Sequence, residues 1–253
     1  MPESIAESIK RDNDPSHGEY GKSEIVHSSY VRVFVVNAYK ERREKYLEND
    51  RYELFPAVWW EDVTEEQVER YHFRHNANMD YRKKVVACSL SHKNLLLKII
   101  KEDLKNIIIM EDDALIEDWM ELELLKKEGL TDFCYVGGQI NAPFMKDFKT
   151  FPDIKESIQD NFSKGVNHID PKEFRIGQTC GYFIPNADVA QKLLSNIPTC
   201  TKERAIDTEY IKLQQKKYID LFYYPAIVKL YIPDANKGFT YSTYKLLDDQ
   251  SLY

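Results

Sequence analysis

The feature that most restricts the fold is a short, wholly apolar run that ends abruptly in three carboxylates. Ile107–Met110 is apolar at every position, which is typical of a strand covered on both faces. Glu111, Asp112 and Asp113 follow it directly. A strand of this kind needs a sheet with helices on both sides, and ligands of such α/β domains bind at the carboxyl ends of the strands.

The rest of the chain alternates strand and helix patterns. Val31–Val36 is a β-branched run of strand length, and the polar Asn37–Arg43 that follows indicates a loop opening a helix. Apolar residues recur at helical spacing over Asp80–Leu104. Further strands are predicted at Phe133–Val136, Cys180–Ile184 and Tyr218–Leu230, with helices at Asp188–Leu194 and Thr208–Lys217. The sequence therefore predicts an α/β domain.

The domain organisation follows from length and polarity. A chain of 253 residues with 43% hydrophobic content can bury the core of one large domain. Residues 1–29 have little apolar periodicity, so we expect a flexible polar tail, followed by a single domain over residues 30–253. Within it, Gln139–Gln178 reads as a long irregular segment, which is typical of a lid or binding loop.

Charge and hydropathy exclude several classes of function. The net charge of −7 comes from 35 basic and 42 acidic residues spread along the chain, so there is no basic stripe for a nucleic acid. No apolar run approaches the roughly 20 residues of a membrane span, and Met1–Lys22 is too polar for a signal peptide. We therefore expect a cytoplasmic protein without a transmembrane segment. The cysteines are far apart, without the close pairs of zinc or redox motifs: Cys88, Cys134, Cys180 and Cys200.

The acidic cluster suggests a cation site. Carboxylates placed together after a buried strand repel one another unless a cation or a hydrogen-bond network offsets the cost. Mg²⁺ and Mn²⁺ prefer oxygen ligands and usually take one or two carboxylates together with substrate phosphates. The alternative is a solvated acidic turn that begins the next helix, because Asp and Glu favour helix N-termini.

Two motifs about twenty residues apart carry a family resemblance. Ala87-Cys88-Ser89-Leu90-Ser91-His92 and Ile108-Ile109-Met110-Glu111-Asp112-Asp113-Ala114 resemble the Leu-Ser-His and E-D-D signatures of glycosyltransferase family 25. Weaker matches to the family lie at Val33–Asn37 with Arg42 and Arg43, Phe55–Val58, Gly181–Ile184, Ile206-Asp207 and Pro225–Val228. The resemblance covers about Val31–Leu230.

The resemblance implies a fold and a reaction. It implies a GT-A type nucleotide-sandwich domain with a central mixed, mostly parallel sheet. It also implies that a hexose such as galactose or glucose moves from a nucleotide sugar, expected to be a UDP-sugar, to a hydroxyl of a glycan or protein. Mn²⁺ or Mg²⁺ is the expected cofactor, and inversion at the anomeric carbon is the expected outcome.

The roles implied for individual residues are as follows. Asp113 with Glu111 or Asp112 would hold the metal, and Asp207 would be the base. Tyr135 and Gly137 would line the sugar pocket. The donor would contact Asn37, Arg42, Arg43, Ser91, His92, Glu111, Asp112, Gly138 and Gln139. For the arginines the alternative is exposed helix charge, for Ser91 and His92 a structural hydrogen-bond pair, and for Asp207 an ordinary carboxylate at a helix start.

Two other classes of function compete with this interpretation. A catalytically inactive relative would keep the fold as a binding or scaffold protein, because fold does not guarantee chemistry. A metal-dependent phosphoryl-transfer enzyme or hydrolase would also use strand-end carboxylates, but the sequence has no P-loop or nucleophile elbow. The chain also departs from GT-A enzymes that use a late histidine as a metal ligand, since its last histidine is His168.

Overall fold

The structure is a computed structural model of the chain. It describes residues 31–73, 77–116, 118–137, 139–141, 165–171, 175–177, 179–197, 202–220, 222–224 and 228–230. The predicted tail, residues 1–29, lies outside the described residues, as do both ends of the predicted single domain. Within the described ranges, no helix combines the length and the apolar character needed to cross a membrane.

The strands agree closely with the apolar runs of the sequence. Their bounds are β1 Arg32–Asn37, β2 Tyr52–Pro56, β3 Ile107–Glu111, β4 Ala114–Ile116, β5 Cys134–Tyr135, β6 Gln139–Asn141, β7 Asn167–His168, β8 Arg175–Gly177, β9 Gly181–Ile184, β10 Phe222–Tyr223 and β11 Val228–Leu230. Both β10 and β11 lie within the predicted strand Tyr218–Leu230, and they belong to different sheets. The segment Gln139–Gln178 was wrongly predicted to be irregular throughout, because it contains β6, β7 and β8; its remainder lies mostly outside the described residues.

The main sheet is mixed. Its strand order, among the described residues, is β2-β1-β3-β9-β5-β10-β7. The pairs β1–β2, β1–β3 and β5–β10 are parallel, whereas β3–β9, β5–β9 and β7–β10 are antiparallel. The predicted mixed sheet is confirmed, but the expectation that it is mostly parallel is wrong. Two of the three antiparallel pairs come from β9, which lies between β3 and β5 and runs against both.

Six α-helices are described, and most begin at a side chain that caps them. Their bounds are α1 Lys40–Leu47, α2 Glu65–Glu69, α3 Met79–Lys101, α4 Trp119–Lys127, α5 Ala187–Asn196 and α6 Ile206–Gln215. The long helix α3 begins after Asn78, whose side chain accepts a hydrogen bond from the Tyr81 amide. Asp118 and Asn186 cap α4 and α5 in the same way.

Side-chain alternation along the strands builds a core on each face of the sheet. Phe34 and Val36 of β1 join one buried cluster with residues of α3, α5 and α6. Val33 and Val35 point the other way, into a second cluster with Leu122 of α4. Helices therefore cover both faces, as the apolar run of β3 requires.

A glycine at the start of β9 allows a close strand contact, which yields a testable prediction. A Cβ added at Gly181 would lie 2.8 Å from Cβ and Cγ1 of Val228. We expect Gly181→Ala to lower the free energy of unfolding by about 1–3 kcal/mol, because β11 would have to move. Urea unfolding followed by circular dichroism measures this change.

The matched control is Gly177→Ala. A Cβ at Gly177 would make only an ordinary contact, 3.6 Å from Cδ1 of Ile211. This variant is expected to unfold at the same urea concentration as the native chain, or slightly above it. Equal stability of the two variants would contradict the proposed clash at Gly181.

Candidate active site

The ends of three strands meet at one edge of the main sheet. The parallel strands β1 and β3 bring Val36 beside Glu111 at their carboxyl ends. Because β9 runs antiparallel to β3, its amino end, Gly181, lies beside Met110 at the same edge. The acidic cluster, defined as Glu111, Asp112 and Asp113, lies at this edge.

Asp112 is buried, and both of its carboxylate oxygens accept hydrogen bonds from within the protein. Its Oδ2 accepts hydrogen bonds from the Ala38 amide at 2.8 Å, the Tyr39 amide at 3.0 Å and Nδ2 of Asn37 at 3.2 Å. Its Oδ1 accepts one from Nη1 of Arg42 at 2.7 Å. The carboxylate therefore fixes the loop between β1 and α1 and has little capacity left for a cation.

The two candidate arginines differ in their surroundings. Arg42 is paired with Asp112, and its guanidinium lies 4.8 Å from the centre of the Tyr39 ring. Burial alone would lower the pKa of Arg42, but the hydrogen bond and charge of Asp112 outweigh it and raise that pKa. Arg43 is partly buried, and its Nε has no hydrogen-bond partner among the described residues. Arg42 is therefore not a freely exposed helix charge.

Asp113 differs from the other two carboxylates of the cluster in having an unused buried oxygen among the described residues. Its Oδ1 is buried and accepts no hydrogen bond from the described part of the chain. Burial first, and then the charge of Glu111, raise the pKa of Asp113 to about 7. A carboxylate in this environment gains most from a cation or a proton.

Glu111 is held by neighbours from two other elements. Its Oε1 accepts a hydrogen bond from the Thr179 hydroxyl and lies 3.4 Å from Nε2 of His92. Burial would raise the pKa of Glu111, but the interaction with His92 outweighs it and lowers that pKa. Glu111 therefore stays ionised beside Asp113.

Ser91 and His92 connect α3 to its surroundings. The Ser91 hydroxyl donates to the Ala87 carbonyl at 2.7 Å and accepts from the Val58 amide at 2.8 Å. His92 is fully buried, with Nδ1 2.7 Å from the Tyr182 hydroxyl. The geometry supports the structural interpretation of Ser91, whose hydroxyl is occupied, whereas His92 faces the acidic cluster.

Asp207 lies in the first turn of α6 and is within electrostatic reach of the cluster. Its Oδ1 accepts a hydrogen bond from the Thr208 amide at 2.6 Å. Burial first raises the pKa of Asp207, and the charge of Glu111 raises it further. The predicted base therefore lies close enough to the acidic cluster to feel its charge, although Asp207 is 96 residues from Glu111 in the sequence.

The residues predicted to line the sugar pocket have surroundings that differ from one residue to the next. Tyr135 is fully buried, and its hydroxyl accepts a hydrogen bond from Nε2 of Gln214 at 3.0 Å, so its prediction as a pocket residue is wrong. A Cβ on Gly137 would lie 2.6 Å from the Val228 carbonyl oxygen, so the absence of a side chain here allows strand β11 to approach closely. Gly138 lies outside the described residues, and Gln139 is the first residue of β6.

Two side chains that interact with the acidic cluster were not predicted from the sequence. Lys45 is partly buried and interacts electrostatically with Asp112 and Asp113, and burial lowers its pKa to about 8. Its position three residues after Arg42 on a helix could have revealed it, because residues at that spacing share a face. Thr179 gave no comparable signal, since only the antiparallel path of β9 brings it to Glu111.

The turn after β3 also differs from the alternative prediction of a solvated acidic turn that begins a helix. Asp112 and Asp113 form a turn that leads into β4, not into a helix. β4 pairs antiparallel with β11, and its Ala114 carbonyl accepts a hydrogen bond from the Tyr46 hydroxyl. Strands and helix α1 therefore hold this acidic turn in place on both sides.

Comparison with known families identifies the class of protein to which this acidic sheet edge belongs. The profile described as "Glycosyltransferase family 25 (LPS biosynthesis protein)" matches residues 32–209. The chain belongs to glycosyltransferase family 25. It is therefore a sugar-transferring protein with a sugar donor and an acceptor as substrates. No curated protein matches the chain.

The matched region contains every candidate residue of this family 25 glycosyltransferase. It runs from before Asn37 to just beyond Asp207 and includes both signature motifs. By contrast, a cavity of about 410 Å³ opens at the other end of β3, near Asn106, Lys126 and Pro185. That cavity lacks the carboxylates of the cluster, so the chemistry points to the acidic edge.

Proposed function

We propose that this protein transfers a hexose from a UDP-sugar, such as UDP-galactose or UDP-glucose, to a hydroxyl of a glycan or protein. We further propose a GT-A type nucleotide-sandwich fold, with Mn²⁺ or Mg²⁺ bound at the acidic edge. The observation that carries the proposal is the buried Oδ1 of Asp113, which lies beside two other carboxylates and has no hydrogen-bond partner among the residues that the structure describes.

The residues present fit a hard divalent cation. Asp113 supplies an unused carboxylate oxygen, and Glu111 is the second carboxylate in reach, while Asp112 is occupied by Arg42 and backbone amides. One or two carboxylates, completed by water and phosphate oxygens, are the usual protein contribution to a Mg²⁺ or Mn²⁺ site. A cation bound there would neutralise the negative charge that develops on the leaving diphosphate.

The protein's own groups supply the remaining steps. Asp207 would take the proton from the acceptor hydroxyl, and its raised pKa brings it closer to the range of an effective base. The acceptor oxygen would then form its bond to the anomeric carbon while the bond to the diphosphate oxygen breaks, which inverts that carbon. Arg42 would act through Asp112 by holding Asn37 and the β1–α1 loop in place.

Positive groups on α1 would bind the donor phosphates. Arg43 and Lys45 lie on the same short helix as Arg42, and the charge of Lys45 is felt at Asp113. Guanidinium groups present fixed donors to phosphate oxygens, and lysine binds phosphate as a point charge. This arrangement would place the diphosphate between α1 and the acidic cluster.

A thermal-shift panel tests the proposal directly. UDP, GDP and CMP are added at about 100 times their expected dissociation constants, each with Mn²⁺ or with chelator. We expect UDP with Mn²⁺ to raise the melting temperature by about 5–10 °C, because ligand at that excess adds about 2.7 kcal/mol to the stability of the folded state. Chelator should remove the shift.

Two controls separate the possible outcomes. Asp113→Asn should abolish the Mn²⁺-dependent shift, whereas replacement of the exposed Asp50 by Asn should preserve it. A shift with GDP or CMP instead of UDP would overturn the donor assignment. Absence of any nucleotide-dependent shift would overturn the catalytic proposal and favour an inactive binding protein.

A further inference from the structure

A second cluster of ligand-type side chains lies behind the acidic edge. The Cys88 thiol, His92 and Glu111 each offer one ligand atom, and these three atoms lie within 4.8 Å of one another. Cys88 and His92 are four residues apart on α3, so they share one face of the helix, and Glu111 comes from the end of β3. The sequence shows the helical spacing but not the third ligand.

The contact between His92 and Glu111 is unusual for a hydrogen bond. Nε2 of His92 is buried, 3.4 Å from Oε1 of Glu111, and makes no hydrogen bond within the described ranges. Charge-assisted N–H···O bonds are shorter, about 2.7–2.9 Å. In a tetrahedral zinc site, bond lengths of about 2.0–2.1 Å place neighbouring N and O ligands about 3.3 Å apart. The observed separation therefore suits two ligands of one cation.

The surroundings of the cluster support this interpretation. The Tyr182 hydroxyl lies 2.7 Å from Nδ1 of His92 and can accept a hydrogen bond from Nδ1–H, so that Nε2 can bind a cation once the cation displaces the proton that Nε2 shares with Glu111. The charges of Glu111 and Asp207 both act on the Cys88 thiol, and this negative field attracts a cation.

We propose that Cys88, His92 and Glu111 form a binding site for a borderline-soft divalent cation of the Zn²⁺ type, next to the hard-cation site at Asp113. Thiolate and imidazole ligands favour Zn²⁺ over Mn²⁺ and Mg²⁺. On binding, the cation forms a bond to sulfur and the thiol proton leaves to solvent. Three protein ligands leave a fourth position for water. Glu111 is common to both proposed sites, whereas Cys88 and His92 belong to this one alone.

Cobalt spectroscopy tests the site without any activity assay. The chain is freed of metal with chelator and titrated with Co²⁺, which replaces Zn²⁺ and reports a thiolate ligand by charge-transfer absorption in the near ultraviolet. We expect the band to saturate near one equivalent, to disappear when Zn²⁺ is added, and to be absent in Cys88→Ala. His92→Gln should weaken cobalt binding by at least about 10-fold, and Tyr182→Phe by about 10-fold.

The controls identify the thiol and the site. Cys134→Ala, Cys180→Ala and Cys200→Ala should each keep the band, and so should Asp113→Asn. No band in the native chain, or a band that persists in Cys88→Ala, would overturn the proposal. Alkylation of the native chain gives a second readout: Zn²⁺ should protect Cys88 at least about 10-fold, and an unchanged alkylation rate would also overturn it.

Discussion

Replacing Asp113 by Asn is expected to reduce kcat/KM for sugar transfer by about 1,000-fold. Asn keeps the size of the side chain but removes the charge that would hold the cation, and a loss of about 4 kcal/mol of transition-state stabilisation corresponds to that factor. The measurement is transfer from a UDP-sugar with saturating Mn²⁺. The exposed Asp50→Asn is the matched control and should retain native activity. Activity of Asp113→Asn within 10-fold of the native chain would contradict the assigned role.

The same substitution should have the opposite effect on stability when no metal is present. The pKa of Asp113 is about 7 in the folded protein and about 4 in an unfolded chain, so between these values the folded state binds more protons. The free energy of unfolding therefore falls as pH rises from about 4 to about 7 and then stays level. Asp113→Asn lacks this contribution, which is about 4 kcal/mol for a difference of about three pKa units, and should melt about 8 °C higher than the native chain at pH 8.

A chelator-treated sample is needed for this comparison. Thermal melting is followed at several pH values between 5 and 8 for the native chain, Asp113→Asn and Asp50→Asn. The native chain and Asp50→Asn should share one pH dependence, and Asp113→Asn should have a flatter one. Parallel curves for all three proteins would show that burial of Asp113 does not control the stability of this edge.

Local patterns predicted the elements because they depend on nearest neighbours in the sequence. The apolar run Ile107–Met110 became β3, and the predicted helix Asp80–Leu104 became α3, Met79–Lys101, three residues shorter at its carboxyl end. There the chain leaves the helical region, since Asp103 and Asn106 have positive φ angles of 47° and 55°. Periodicity reports burial of a face, and both elements bury a face strongly.

Strand direction could not be predicted in this way. An apolar run has the same pattern whether its strand runs up or down, so Cys180–Ile184 gave no sign that β9 is antiparallel to both neighbours. That direction matters for the site, because it brings Thr179 to Glu111. Tyr135 was misplaced for a related reason: its partner Gln214 is 79 residues away.

The acidic motif located the candidate site in the sequence, but it did not show how the roles are divided among the three carboxylates. Three adjacent carboxylates look equivalent in a sequence, yet each meets a different element of the fold. Glu111 faces α3 and the start of β9, Asp112 faces the β1–α1 loop, and Asp113 keeps a buried oxygen without a partner in the described part of the chain. Only the tertiary arrangement separates a structural carboxylate from one available to a ligand.

This division predicts that Asp112, unlike Asp113, is essential to the fold. Asp112→Ala removes the acceptor of two backbone amides, the Asn37 side chain and Arg42, and leaves the partly buried Arg42 charge without its carboxylate. Breaking one side of a buried ion pair typically costs about 3–5 kcal/mol. We therefore expect Asp112→Ala to lower the free energy of unfolding by about 4 kcal/mol, measured by urea unfolding.

Asp112→Asn and Arg42→Met distinguish the charge from the hydrogen bonds. An amide in place of the carboxylate can still accept the three donors at Oδ2, but it presents its own N–H groups to Arg42, so a cost of about 2–3 kcal/mol is expected. Combining the two substitutions should restore part of that loss, because the guanidinium that needed the carboxylate is gone. Strictly additive costs, or a loss below about 1 kcal/mol in Asp112→Ala, would mean that the β1–α1 loop is held by other contacts. The cation site at Asp113 would then have to keep its geometry without the support assigned here to Asp112.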